Sequence, residues 1–136
     1  MKRAFTLLEI LMVVMIVTIL AGIGIPQYLK AVEKGRSVEA KAVLGQIRNA
    51  EEAYYAKNGT YTSDLTLLDI EANINTADTC TSDYWYKFSI PSADAAGFTA
   101  RARRCTESGK EPQATTEYSI TLNQDGGWGG TTGYTY

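Results

Sequence analysis

The chain contains no histidine. That absence removes the commonest metal ligand and the usual general base at neutral pH. A Ser/His or Cys/His nucleophile pair is excluded, and so is a histidine-ligated zinc site. Cysteine is scarce, with Cys80 and Cys105 the two in 136 residues. No large excess of either charge exists: 13 Lys and Arg stand against 15 Asp and Glu, a net of −2. No nucleophile–base pair, cofactor loop or metal-ligand cluster appears. The sequence therefore predicts no enzyme and no cofactor.

Charge is also nearly missing from the first part of the chain. Between Phe5 and Ile25 the only charged residue is Glu9, accompanied by two threonines, Thr6 and Thr18. As a helix this run spans ~31 Å, about one bilayer core. Lys2 and Arg3 ahead of it hold the N-terminus on the cytoplasmic side, so the remainder faces outward. Three readings fit such a run. It is a signal peptide cleaved after its apolar core, a simple membrane anchor, or a helix that leaves the membrane to pack among copies of itself.

Glu9 bears on the choice. About one turn past Phe5, it reaches the interface by snorkelling if the run is a plain anchor. A carboxylate inside an apolar segment is otherwise rare and usually paired. A cut between Ala4 and Phe5 would supply the partner. It frees an α-amine on Phe5 and removes Lys2 and Arg3. In an apolar bundle, the ammonium of one chain meets the Glu9 carboxylate of its neighbour. An unpaired charge there costs several kcal/mol, so the pair fixes one axial stagger.

Lys2-Arg3-Ala4 followed by Phe5-Thr6-Leu7-Leu8-Glu9-Ile10-Leu11 resembles the class III signal of type IV pilins and pseudopilins. The resemblance is specific over residues 1–60 and architectural beyond. It implies that a prepilin peptidase removes residues 1–4 and that Phe5 is then N-methylated. The family's assembly glutamate falls on Glu9 and its helix-interrupting proline on Pro26. One departure stands at the cut: the family usually has glycine before it, and this chain has Ala4. The resemblance also implies an inner-membrane precursor with its C-terminus in the periplasm. An inner-membrane assembly platform with ATPase-driven machinery then draws the subunit into a helical homo-oligomer at the cell surface, serving adhesion, surface motility or DNA uptake. A pseudopilin of a type II secretion system is the alternative within the family. The calcium loop of the major secretion pseudopilin has no counterpart here, because Asp125 lacks oxygen-rich neighbours.

The expected fold is α+β: one long N-terminal helix on a small antiparallel sheet. Residues 5–26 form the membrane or filament-core part, and 27–136 the head. Within the head an amphipathic helix covers 27–57, a connecting loop 58–82, and sheet plus C-terminal loop 83–136. Gly22, Gly24 and Pro26 mark the point where the helix is expected to break. Ala40, Val43, Ile47, Ala50 and Tyr54, with Leu44 beside them, form an apolar stripe. Glu33, Arg36, Arg48 and Glu51 are placed on other faces. Lys57-Asn58-Gly59 reads as a helix stop.

Three strands are expected, over 83–90, 97–104 and 117–123, each with one apolar and one polar face. Cys80 and Cys105 flank the first two. A hairpin of those strands would bring them together, and the exported location favours a disulfide. That bridge closes a loop of about 26 residues and contributes about 3 kcal/mol in the chain-entropy model. The glycine-rich end, with Trp128, is read as an irregular last strand or loop pinned by that indole. Arg101, Arg103, Arg104 and Lys110 invite a nucleic-acid reading. Removing Lys2 and Arg3 leaves 11 basic against 15 acidic residues, which opposes a strong phosphate footprint. The arginines are read instead as a solvated sheet face. The aromatics of the helix, including Tyr28, Tyr54 and Tyr55, are read as packing rather than an electron path.

Overall fold

The computed structural model describes residues 6–70, 74, 79–80, 83–106 and 118–131. Ala4 and Phe5, Lys110, Glu117 and the end beyond 131 lie outside those residues. The chain divides into two compact units, Met1–Gly35 and Arg36–Tyr136. One helix, α1 (Leu7–Asn58), contributes to both.

α1 starts at Thr6, whose hydroxyl and carbonyl both accept the Glu9 N–H at 3.2 Å. Thr6 with Glu9 three residues later has the sequence of a capping box, and the acid sits at the positive end of the helix dipole. The helix continues without interruption through Gly22, Gly24 and Pro26. The expected break is therefore absent from the single chain. Proline deletes one backbone hydrogen bond and crowds the preceding turn, a local cost of about 3 kcal/mol. The intact turns on either side hold the geometry. α1 ends where the sequence predicts: Gly59 adopts φ +73° and its N–H donates to the Tyr55 carbonyl at 2.8 Å.

In the second unit α1 lies on a four-stranded antiparallel sheet. The strands are β1 (Tyr86–Ala93), β2 (Phe98–Arg104), β3 (Ser119–Asn123) and β4 (Trp128–Gly129), in spatial order β1-β2-β3-β4. The core joins Ala40, Leu44 and Ile47 of α1 to Tyr86, Phe88 and Ile90 of β1, Phe98, Ala100 and Ala102 of β2, and Ile120 and Leu122 of β3. Small alanines on the central strand leave room for Leu44 and Ile47, both fully buried. Leu65, the first residue of a short 3-10 turn (Leu65–Leu67), and Leu68, which caps it, close one end.

Four expectations need correction. β1 begins at Tyr86 rather than 83, and it runs past Ile90 to Ala93. The register slips by one residue between Ser89 and Ser92. Pro91 has no N–H to give, so a bulge on an edge strand is where it fits. Second, Glu33 and Glu51 are buried, together with Ser37. They continue the stripe 33-37-40-44-47-51 at a strict four-three spacing rather than occupying other faces. Third, Arg104 is fully buried. It shares the inward parity of Phe98, Ala100 and Ala102. Fourth, Trp128 does not pin the C-terminal segment into the core: it is 52% exposed on the short edge strand β4.

Cys80 and Cys105 form a disulfide, with Cα atoms 5.6 Å apart. The hairpin explains it, because the Cys105 N–H donates to the Trp85 carbonyl at 2.9 Å and so holds the end of β2 beside the start of β1.

Candidate functional site

Two surfaces carry functional chemistry, one in each unit. The first is the apolar part of α1. Every large apolar side chain from Leu7 to Ile25 is between 51% and 85% exposed, on all sides of the helix. Fourteen such side chains in water would forgo roughly 1 kcal/mol or more each. That total reaches the whole stability of an ordinary domain, about 5–15 kcal/mol. A helix apolar all round requires lipid or other helices around it. α1 is long and apolar enough to cross a membrane.

Polar groups on this segment are few and locally arranged. Thr18 donates its hydroxyl to the Val14 carbonyl at 2.7 Å, so it presents no unsatisfied donor to an apolar surrounding. Glu9 is exposed on the first turn. The Thr6 cap, which the sequence reading passed over, was signalled by the Thr-x-x-Glu spacing. Gly22 and Gly24 have open space where a Cβ would stand. Nothing in the chain's own packing asks for glycine there, and each costs about 1 kcal/mol of helix stability relative to alanine.

The second surface is the sheet face turned away from α1. Lys87 pairs with Arg103, and Arg103 with Ser119. Ser89 pairs with Arg101, and Arg101 with Thr121. Thr99 and Asn123 complete the row. Arg101 reaches the Ser89 hydroxyl at 3.4 Å, while its Nε is buried without a hydrogen-bond partner.

Arg104 does something different. Its guanidinium lies 4.7 Å from the Trp85 ring centroid and donates to the Cys105 carbonyl. Arg36 approaches the same indole at 3.4 Å. Trp85 therefore meets two guanidinium groups, each attracted to its π face. Nearby, the Tyr86 and Tyr118 hydroxyls are hydrogen-bonded to each other. This cluster ties α1, β1, β2 and the disulfide together. On the opposite edge, the Lys41 ammonium lies 5.6 Å from the Trp128 ring. No set of acidic or cysteine side chains able to hold a metal occurs among the described residues.

A long helix, apolar in its first half and amphipathic in its second, on a small antiparallel sheet closed by a disulfide, defines a pilin-type fold. Residues 26–127 match the family described as type IV minor pilin ComP, DNA uptake sequence receptor. That match covers three quarters of the chain, and the chain belongs to the type IV pilin family. Pilins are structural proteins. The type IV major pilin protein PilA of Myxococcus xanthus is 30% identical over 93 residues, 68% of this chain and 40% of that protein. The fimbrial protein EcpC of Eikenella corrodens is 32% identical over 74 residues, 54% of this chain and 48% of that one. PilA4, the type IV wide pilus major component of Thermus thermophilus, is 35% identical over 66 residues, 48% and 50% of the two chains. The aligned region is thus half or less of those relatives' lengths. The crystal structure of the non-core minor pilin PilV of Neisseria meningitidis shares the fold, with a TM-score of 0.55 and 17% identity over 75% of this chain and 89% of that one.

Proposed function

We propose that this protein is a structural subunit of a type IV pilus-like filament. The observation that carries the reading is the exposure of every large apolar side chain of α1 from Leu7 to Ile25. The precursor keeps this surface in the inner membrane with the second unit in the periplasm. A prepilin peptidase cuts between Ala4 and Phe5, and Phe5 is N-methylated. Assembly machinery then draws the subunit out, and each apolar helix exchanges lipid for sister helices. The area covered changes little in that exchange, so packing and polar pairs decide the geometry.

Glu9 sets the register. The Phe5 ammonium of one subunit pairs with the Glu9 carboxylate of its neighbour, and mismatched staggers leave a charge unpaired. Gly22, Gly24 and Pro26 are where the helix yields on assembly. Pro26 leaves a backbone carbonyl without its partner, and the two glycines lower the cost of local unwinding.

Mass spectrometry of the exported protein tests the cut. A methylated Phe5 at the N-terminus supports the reading. A start near residues 22–26 would mean a conventional signal peptide, and an intact Met1 a plain anchor. Glu9→Ala tests the register: the leader should still be removed, while filaments are lost or disordered. Normal filaments from that variant would mean that Glu9 only reaches for the interface.

A second reading, that the filament takes up DNA, is favoured by the description of the matching family. The cationic row Lys87, Arg101 and Arg103 is where a phosphate backbone would lie, against the acidic balance of the whole chain. Retention of duplex DNA by the purified protein should then fall steeply with salt and collapse in a variant with all three changed to serine. No binding at low salt would retire it.

A further inference from the structure

Glu51 lies in the last two turns of α1 and is fully buried. Its Oε2 accepts the Thr62 N–H at 3.1 Å. Its Oε1 has no hydrogen-bond partner. Arg48, three residues earlier on the helix, directs its Nε–H instead to the Gln124 carbonyl at 2.9 Å. A carboxylate so placed would be a buried charge with one hydrogen bond. That state is costly, whereas the neutral acid is far cheaper to bury.

The segment that Glu51 holds is built outward from Thr62. The Thr62 hydroxyl accepts the Asp64 N–H at 3.1 Å. The Asp64 carboxylate then accepts the Thr66 N–H at 2.9 Å and the Thr66 hydroxyl at 2.7 Å, opening the 3-10 turn that seats Leu65 and Leu68 in the core. On the other side of Thr62, the Tyr61 ring stacks on Tyr55 at 4.6 Å and tilts against Phe98 at 5.0 Å. The Thr62 amide is thus the point where the connecting segment is tied to the helix by a titratable group.

We propose that Glu51 is a proton-controlled latch: its neutral carboxyl clamps residues 61–68 onto α1, and its ionisation lets that segment open. Burial pushes the Glu51 carboxyl above its ordinary value of 4.5, and the Thr62 N–H pulls it back less strongly. Among the described residues, the other titratable groups of this corner are Glu52 and Tyr55 on α1, Tyr61 and Asp64 on the segment itself, and Asp125 on the β3–β4 turn. All five are acids, and the Arg48 Nε–H is directed to the Gln124 carbonyl. Asp64, held below its ordinary value by its bonds to Thr66, stays ionised through the window in which Glu51 titrates. Burial first, then Glu52, Tyr55, Glu51 and Asp125, likewise hold the Tyr61 phenol above its usual range.

The sign follows from the raised value. The closed segment binds the proton more tightly than the open one. The latch is fully set below the ordinary carboxyl value and weakens as pH rises toward the raised one. One proton released on opening changes the opening constant by up to about tenfold per pH unit across that window, after which it levels off.

The test uses the full-length protein in detergent micelles. Hydrogen-exchange protection of the Thr62 and Leu67 amides, corrected for intrinsic exchange, is followed from pH 4 to pH 8. The wild-type protein should lose protection by up to about tenfold per pH unit above about pH 4.5 and then reach a plateau. Glu51→Gln, which keeps an acceptor for Thr62 and cannot ionise, should hold its protection level across the range. Flat wild-type protection, or an equal slope in Glu51→Gln, would overturn the proposal. Carbon NMR of the Glu51 carboxyl in the unsubstituted chain gives an independent reading. A midpoint above 4.5 supports the latch, and one at or below 4.5 overturns it.

Discussion

Replacing Arg104 should damage the head far more than replacing its neighbour Arg103. Arg104 has no exposed surface. Arg104→Ala removes the guanidinium from the Trp85 face, worth about 1–2 kcal/mol in a desolvated setting. It strips the Cys105 carbonyl of its donor, worth about 1–3 kcal/mol when nothing replaces it. It also leaves a hole where the aliphatic stem was packed. These effects overlap, so the expected loss is about 4 kcal/mol rather than their full total. For a unit of this size that lowers the melting temperature by roughly 15 °C or more. Arg103→Ala, on the polar face opposite Lys87 and Ser119, should cost no more than about 1 kcal/mol. The assay is urea unfolding of the full chain in detergent, followed by near-ultraviolet circular dichroism, which reports the packing of Trp85. Equal losses from the two variants would show that the parity assigned to β2 is wrong. Arg104→Lys sharpens the comparison. It keeps the charge but not the planar fork, so it should recover only part of the loss.

Leu44→Ala, at a fully buried position of the stripe, should cost about 3 kcal/mol in the same unfolding assay. Reducing the Cys80–Cys105 disulfide should lower stability by about 3 kcal/mol, read as a shift of the urea midpoint with dithiothreitol. Gly130→Ala should dislodge β4, since a Cβ there would stand 2.1 Å from the Ser119 carbonyl oxygen and the residue sits at φ +122°. Increased hydrogen exchange at Thr121, which pairs with Gly129, is the expected readout, with no change at Ile120 and Leu122, whose N–H groups face β2, or in β1 and β2.

Much of this architecture is legible in the residues. The stop at Lys57-Asn58-Gly59 ends the helix within a residue of its observed limit because Gly59 alone accepts a positive φ cheaply. The alternation through Phe98, Ala100 and Ala102 gives β2 its inward face. Extending that parity two residues further would have placed Arg104 inside. Its charge argued for solvent, and the surrounding rings and carbonyl oxygens help make its burial tolerable. Glu33 and Glu51 were hidden for the same reason: they continue the helical spacing of the stripe, but their charge outweighed their position. The continuation of β1 past Ile90 was not legible, because a bulge at Pro91 depends on the partner strand and not on local sequence. Two-residue β4 has no periodicity to detect. Pro26 signals a break whose realisation depends on what surrounds the helix, and a single chain does not supply those neighbours. The apolar run and Glu9, by contrast, stand out unaided, since nothing within reach in the sequence neutralises that acid.

The most direct test of the filament account is a high-resolution cryo-electron microscopy map of purified filaments. The account predicts helices 5–25 packed at the axis, with the Glu9 carboxylate of each subunit within about 4 Å of the Phe5 α-amine of a neighbour, the range of a direct ion pair. Filaments in which Glu9 faces solvent, or lies far from any α-amine, would contradict it.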